Sequence, residues 1–256
     1  MTFSALGVLL ALAVGLVLGF LGGGGSILAV PIFLVAFHVP TKPAIAMSLV
    51  VVGTSAFVGF LSHWRQGTVN LRVALTFGGF AMGGAFAGAR VSRFVPQQVQ
   101  LAMFAVFAFT AALLMLRDAS RPAPPAAASA SGGDREARFA PVLALQAVGV
   151  GVLTALIGAG GGFVIVPALV LLARLPVKQA VGSSLLIIAM NALTGFFGYL
   201  GVVPIDWHLV GWFASFAAVG AMLGTRFMRA VPQRRIKQGF AVMILVLGAY
   251  LLLTRL

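Results

Sequence analysis

Apolar stretches follow one another along almost the whole chain, separated by short polar gaps. The first stretch, residues 3–37, is interrupted by four consecutive glycines, which leave a longer segment, Phe3–Leu21, and a short one, Ile27–Phe37. Three further stretches are each long enough for a transmembrane helix of about 17 to 25 residues: Ala44–Leu61, Val73–Ala89 and Val99–Leu116. The pattern predicts a glycine-broken hairpin that dips into a membrane, re-entrant or with one short helix, followed by three spanning helices.

The same pattern begins again after a polar, proline-rich interruption. Pro31 and Pro167 lie 136 positions apart, and at that offset Lys42 matches Lys178 and Ser48 matches Ser184. Self-similarity at a fixed offset indicates a duplicated unit. We therefore predict three parts: a first transmembrane repeat (residues 1–117), a flexible cytoplasmic linker (118–139) and a second transmembrane repeat (140–256).

Composition supports an all-α polytopic membrane protein. The chain is 61% hydrophobic and 8% charged, whereas soluble domains carry about 25% charged residues. Its net charge of +13 would suggest a nucleic-acid partner in a soluble protein. In a membrane protein, basic loop residues set the orientation instead, so we expect the lipid bilayer and no nucleic acid. There is no cysteine, and no nucleophile–base or metal motif is present, so we expect no enzyme, no cofactor and no metal.

The orientation of the two repeats depends on whether the glycine segment crosses the membrane. If it is one kinked span, the repeats are parallel, and the 17 Lys and Arg residues divide 10 to 7 between the two sides. If it is a hairpin, the second repeat is inverted and the division is 13 to 4. Since the positive-inside rule favours the larger bias, we expect inverted repeats, with the linker in the cytoplasm and both termini outside.

The two glycine turns are candidate binding sites. A short helix that starts after such a turn presents free N–H groups and its positive dipole end to an anion. Two of these ends, related by an in-plane two-fold axis, are expected to meet near the midplane. The alternative is that the glycines only allow close helix packing. The candidate residues are Gly22, Gly23, Gly24, Gly25 and Ser26 in the first half, and Gly158, Gly160, Gly161 and Gly162 in the second.

Polar side chains on the helix after each glycine segment complete the candidate site. Hydroxyl and amide groups can bind an oxyanion without a buried countercharge, although bonds between helices are their common role. The candidates are Ser48, Thr54, Ser55, Ser183, Ser184 and Asn191. Lys42 and Lys178 begin these helices and either attract anions or snorkel to the interface. His63 is the candidate for proton coupling, since no Asp or Glu lies within a predicted span.

Each half contains a Gly-x-Gly-Gly-x-x-x-x-x-Pro element, Gly22–Pro31 and Gly158–Pro167, followed by Lys-x-Ala-x-x-x-Ser-Leu, Lys42–Leu49 and Lys178–Leu185. In these motifs the chain resembles the sulfite exporter TauE/SafE family of bacterial inner-membrane proteins. The first half departs from the commoner Gly-Thr-Ser pattern at Ala46-Met47-Ser48. The resemblance implies export of sulfite or organosulfonates such as sulfoacetate.

Other interpretations stay open at this stage. The chain could transport a different small anion, a carboxylate or a neutral thiol compound. A membrane scaffold or sensor, or an intramembrane enzyme acting on a sulfur compound, would also contain such helices. A homodimer is one further alternative for the assembly.

Overall fold

The computed structural model describes residues 5–21, 25–119, 136–157, 165–166, 169 and 175–227. Eight helices lie within these residues: α1 (Ala5–Leu21), α2 (Ser26–Val35), α3 (Thr41–Arg65), α4 (Leu71–Ser92), α5 (Gln97–Ala119), α6 (Glu136–Ile157), α7 (Val177–Tyr199) and α8 (Trp207–Phe227). Four of them, α3, α4, α7 and α8, are long and apolar enough to cross a membrane. The prediction of an all-helical, multi-pass membrane protein is confirmed.

The helices extend beyond several predicted boundaries. Helix α3 begins at Thr41 rather than Ala44 and continues to Arg65. Helices α5 and α6 reach into both ends of the predicted linker, so residues 118–119 and 136–139 are helical. Residues 120–135, most of the second glycine segment and residues 228–256 lie outside the described part of the chain.

The helix starts show how the sequence specifies the loops. The Asn70 side chain accepts a hydrogen bond from the Val73 N–H (3.2 Å) and caps α4. Asp206 accepts from the Leu209 N–H (2.9 Å) at the start of α8. Asn and Asp are favoured at these positions because they satisfy N–H groups that have no partner within the helix. Both pairs are 136 residues apart, so the same turn recurs.

The short helix α2 folds back along α1. A Cβ added at Gly25 would lie 2.5 Å from both the Leu18 nitrogen and the Val14 carbonyl oxygen. A straight continuation of α1 would instead carry residue 25 about 10 Å past Leu18. With 10 residues, α2 is about 15 Å long, half of the roughly 30 Å hydrocarbon core. These dimensions agree with the expected short-helix hairpin, which stays a prediction because the turn itself lies outside the described residues.

Two pairs of helices cross so closely that glycine is required. A methyl group at Gly84 or Gly88 of α4 would collide with the carbonyl group of Val148 or Val152 of α6. The α1–α8 pair makes the matching contacts, each 136 residues away in the sequence: Gly220 with Leu12, and Gly224 with Leu16. In both pairs the residue numbers rise together, so the helices of a pair are parallel. Close backbone approach through small residues is how helices associate in lipid.

The central pair, α3 and α7, is antiparallel. Gly53 faces Ala192 and Gly59 faces Leu185, so the residue numbers fall along α7 as they rise along α3. These are also the most buried spanning helices: 72% of the α3 window and 78% of the α7 window are buried, against 39% for α4 and 50% for α8. The core of the protein therefore lies along this crossing.

Candidate binding site at the crossing of the central helices

Ser55 and Asn191 lie where α3 and α7 cross. Both side chains are 0% exposed. Along the sequence, each residue is at most two positions from the contact between Gly53 and Ala192. Neither the Ser55 hydroxyl nor the Asn191 amide has a hydrogen-bond partner in the described part of the chain. The two residues are 136 positions apart, so each half contributes one unsatisfied polar side chain to the middle of the core.

Unpaired polar groups at such a position are costly. A buried donor or acceptor without a partner costs about 1 to 3 kcal/mol, and native proteins contain few of them. The Asn191 amide offers two N–H donors and the Ser55 hydroxyl offers one. No Asp or Glu occurs in α3 or α7, so no carboxylate on these helices would repel an anion. The arrangement can bind a small ligand rich in acceptor oxygens.

Ser48 and Ser184 lie on the same helix faces, two turns before Ser55 and Asn191. Both are fully buried, and each donates to a carbonyl group of its own helix: Ser48 to Ile45 (2.7 Å) and Ser184 to Val181 (2.8 Å). Their protons are therefore engaged. They lie on the same faces of α3 and α7 as Ser55 and Asn191 and add no unsatisfied donor.

Two other candidate hydroxyls do not join this group. Thr54 is exposed and donates to the Val50 carbonyl (2.9 Å). It lines a surface groove of about 360 Å³ between α3 and α8. The Ser183 hydroxyl accepts from the Asn70 N–H (2.9 Å), so it fixes the α3–α4 loop onto α7.

The two candidate lysines lie at the ends of their helices. Lys42 donates from Nζ to the Arg93 carbonyl oxygen (3.2 Å), which satisfies a carbonyl group at the end of α4. Lys178 is exposed near the start of α7. The Lys42 contact gives this residue a structural role, while its charge remains at the surface.

His63 makes the same kind of contact as its counterpart in the second half. Its Nδ1 lies 2.9 Å from Thr68 Oγ1, and the ring lies beside the main chain of Gly19 in α1. The residue 136 positions later, Tyr199, is also buried and donates its hydroxyl to the Ala155 carbonyl (2.9 Å). Ala155 follows Gly19 by 136 residues as well. Both side chains therefore connect the long central helix of their half to the end of its first helix.

These contacts show where the last turns of α1 and α6 lie, just before each glycine segment. His63 and Tyr199 each lie eight residues after Ser55 or Asn191, about 12 Å along the helix. Because α3 and α7 are antiparallel, the ends of α1 and α6 lie on opposite sides of the crossing rather than together at the midplane. In the first segment, Gly25 and Ser26 are buried at the start of α2. Gly22, Gly23, Gly24, Gly158, Gly160, Gly161 and Gly162 lie outside the described residues.

Comparison with known proteins identifies the family. The sequence profile of the family described as "Sulfite exporter TauE/SafE" matches residues 7–251. The chain belongs to the sulfite exporter TauE/SafE family. The resemblance recognised in the paired glycine and lysine motifs is thereby confirmed.

Curated relatives of this TauE/SafE chain are named as transporters. It is 28% identical over 245 residues to "Probable membrane transporter protein YdhB" of Bacillus subtilis (strain 168), covering 96% of this chain and 98% of the relative. It is 32% identical over 246 residues to a "Probable membrane transporter protein" of Xylella fastidiosa (strain 9a5c), covering 93% and 91%. No solved structure matches significantly. The family and these names agree with a membrane transporter and with the expectation that the chain is not an enzyme.

Five buried polar residues in the described part of this TauE/SafE protein escaped the sequence analysis: Ser92, Gln100, Thr154, Tyr199 and Thr225. Tyr199 could have been found, because it matches His63 at the 136-residue offset. Gln100 and Thr154 match Ile236 and Leu18, so the repeat gave no signal for them. Within the described residues, no group of three or more His, Asp or Glu side chains could hold a metal ion.

Proposed function

We propose that this protein exports a small sulfur-containing oxyanion, sulfite or an organosulfonate such as sulfoacetate, across the bacterial inner membrane. The anion binds at the crossing of α3 and α7, and access alternates between the two sides. The observation that carries the proposal is the pair of buried, unpartnered side chains, Ser55 and Asn191. The family and the transporter names of its relatives support the direction of the proposal.

An oxyanion suits the chemistry of the crossing. Its oxygens accept hydrogen bonds from the Asn191 amide and the Ser55 hydroxyl, which removes the penalty for burying them unpaired. Hydrogen bonds to a charged partner are worth about 1.5 to 3 kcal/mol each. A neutral apolar substrate would leave these donors unsatisfied, and a cation would meet no carboxylate on either helix.

We further propose that the two halves are inverted repeats. The antiparallel contacts of α3 and α7 support this, since equivalent helices of parallel repeats would run in the same direction. The parallel α1–α8 and α4–α6 pairs agree with this proposal. In each pair, the first helix of one half lies against a later helix of the other half, and inversion makes these two helices run in the same direction. Inversion also gives the larger bias in Lys and Arg between the two sides, 13 to 4, with the linker inside.

Export of an anion needs no proton carrier. A cell that is negative inside expels each negative charge with about 2.3 kcal/mol per 100 mV. The matching contacts of His63 and Tyr199 support a structural role for His63, since tyrosine, the residue at the equivalent position, stays protonated at neutral pH. We therefore propose a facilitator driven by the membrane potential.

The test is binding to purified protein in detergent. Sulfite, sulfoacetate, taurine, sulfate and acetate are each added, and the shift in melting temperature is measured, because a ligand of the folded state stabilises it by RT ln(1 + [L]/Kd). We expect sulfite or sulfoacetate to raise the melting temperature, and the Ser55→Ala plus Asn191→Leu variant to lose this effect. Ser62→Ala on the same helix is the matched control, since Ser62 donates only to Val58 of its own helix (3.2 Å).

The possible outcomes separate the alternatives. A shift with acetate that exceeds the shift with sulfite would support a carboxylate transporter. No shift with any anion, in a wild-type protein that melts cooperatively, would contradict the proposal and favour a scaffold or sensor.

A further inference from the structure

A second group of unsatisfied polar atoms lies away from the central crossing, around Gln100 in α5. This side chain is 0% exposed, and neither its amide nitrogen nor its amide oxygen has a hydrogen-bond partner among the described residues. An unpaired buried amide is as costly here as at Asn191. The difference is that Gln100 lies near the end of the membrane domain, four residues after Pro96 in the α4–α5 connection.

The neighbours of Gln100 are also polar and buried. The Tyr199 hydroxyl lies beside the side chains of Gln100 and Ser92. Tyr199 donates to the Ala155 carbonyl (2.9 Å) and Ser92 donates to the Ala89 carbonyl (2.7 Å). Their protons are therefore engaged, while the two amide N–H groups of Gln100 are not. The Gln100 amide therefore lies close to hydroxyl oxygens, yet its geometry does not complete a well-formed hydrogen bond with either of them.

The duplicated unit does not require this cluster. At the 136-residue offset, Gln100 corresponds to Ile236 and Ser92 corresponds to Met228. The other half therefore has apolar residues at both positions. A polar side chain that one half lacks, and that leaves its own hydrogen bonds unmade, is better explained by a ligand than by folding.

The surroundings favour an anion. Three basic residues, Lys42, Arg90 and Arg93, belong to the same end of the helices as Ser92, and Lys42 contacts the Arg93 carbonyl directly. A basic rim raises the local concentration of anions. Along α7, Tyr199 lies on the same helix face as Asn191, eight residues away, which corresponds to about 12 Å.

We propose that the Gln100 amide, beside Tyr199, forms a second binding station for the transported oxyanion, on the side of the membrane that carries Lys42, Arg90 and Arg93. The inference rests on the proposed function, because the ligand is the same anion. In the inverted topology this is the outer side, so an exported anion reaches the station after leaving the crossing.

The experiment measures sulfite flux in proteoliposomes with a defined protein orientation. The half-saturating sulfite concentration is determined with sulfite added from the Arg93 side and then from the opposite side. Gln100→Leu removes the amide at similar volume, and Gln98→Leu, at an exposed position of the same helix, is the matched control. We expect Gln100→Leu to raise the half-saturating concentration about tenfold from the Arg93 side only.

Each other result overturns the inference. An equal change from both sides would show that Gln100 acts through packing, and no change from either side would show that the anion does not use it. If Gln100→Leu does not fold, Gln100→Met, which also removes the amide, gives the same one-sided test. If wild-type protein carries no anion from either side, the proposed function itself fails, and this result is distinguishable because it appears without any substitution.

Discussion

The glycine-rich crossings at the periphery and the polar crossing in the centre differ in what fills the contact. Where α4 meets α6, and where α1 meets α8, backbone lies against backbone, and an added methyl group would collide with a carbonyl group. Where α3 meets α7, Gly53 lies 3.3 Å, measured from an added Cβ, from a side-chain atom of Ala192. Two unpaired polar side chains, Ser55 and Asn191, belong to the same level of these two helices.

This comparison separates structure from function along the chain. In lipid, the peripheral crossings are held by van der Waals contact, which needs small residues and no polar group. The central crossing contains polar atoms that weaken the folded state unless something binds them. We therefore expect stability to be concentrated in the peripheral pairs, and the proposed ligand recognition lies in the central pair.

The largest expected effect comes from breaking a peripheral crossing. Gly84→Ala combined with Gly220→Ala would force a methyl group against main-chain carbonyls of Val148 and Leu12. Overpacking costs about 1 to 3 kcal/mol per site even where side chains can adjust, and main chain adjusts less. We expect little or no monodisperse protein, measured by size-exclusion chromatography after detergent extraction.

Two other glycines of α4 provide the control. An added Cβ at Gly79 or Gly83 meets no atom within 4 Å. Alanine there should be neutral or stabilise the helix by up to about 1 kcal/mol. Equal losses from Gly83→Ala and Gly84→Ala would contradict the assignment of the peripheral crossings as the stable part of the fold.

The second largest effect is expected at the central crossing of α3 and α7. Asn191→Ser makes the two halves alike, with one hydroxyl from each. The variant removes one donor to the anion, and we expect sulfite affinity to fall about tenfold, by analogy with the loss of a hydrogen bond to a charged group. The melting temperature without ligand should not fall, since an unpaired amide is removed. A lower melting temperature with unchanged affinity would mean that Asn191 serves the fold.

Much of this organisation could be predicted from the sequence. Long apolar stretches predicted the helices. The offset between Pro31 and Pro167 predicted that Ser55 and Asn191 occupy equivalent positions in the two halves. The offset works because each half repeats its turns and caps residue by residue, as Asn70 and Asp206 show.

The remaining features depend on contacts between distant residues. Hydropathy does not distinguish Ser55, which is buried, from Thr54, which is exposed, because both lie in the same apolar stretch. Which helix face points inward is decided by the partners of α3, and these come from the other half. The glycine turns were expected to meet at the midplane, whereas the ends of α1 and α6 lie on opposite sides of the crossing.

A third, smaller effect concerns His63 and Tyr199, which make matching contacts. If His63 acts through its contacts with Thr68 and α1, His63→Gln should retain sulfite flux and leave its dependence on pH unchanged between about pH 6 and 8, where an unperturbed histidine titrates. Ser62→Ala, which loses one hydrogen bond to Val58 of its own helix, worth about 1 kcal/mol, is the matched stability control. A pH dependence that is present in the wild type and absent from His63→Gln would restore proton coupling through this residue.

The smallest effect concerns the groove beside Thr54, because the two halves differ there by one side chain. The residue matching Thr54 is Met190, whose sulfur would lie 3.0 Å from a Cβ added at Gly78, so it fills the space between α7 and α4. In the first half, Thr54 leaves the groove of about 360 Å³ between α3 and α8.

Thr54→Met should fill this groove and stabilise the protein by about 1 kcal/mol or less, measured as a slightly higher melting temperature, since lipid or detergent already provides part of the contact. Thr76→Met, at an exposed position of α4 whose hydroxyl likewise donates to its own helix, should have no such effect. Because Thr54 faces away from Ser55, sulfite binding should be unchanged; a loss of binding in Thr54→Met would instead connect the groove to the central crossing.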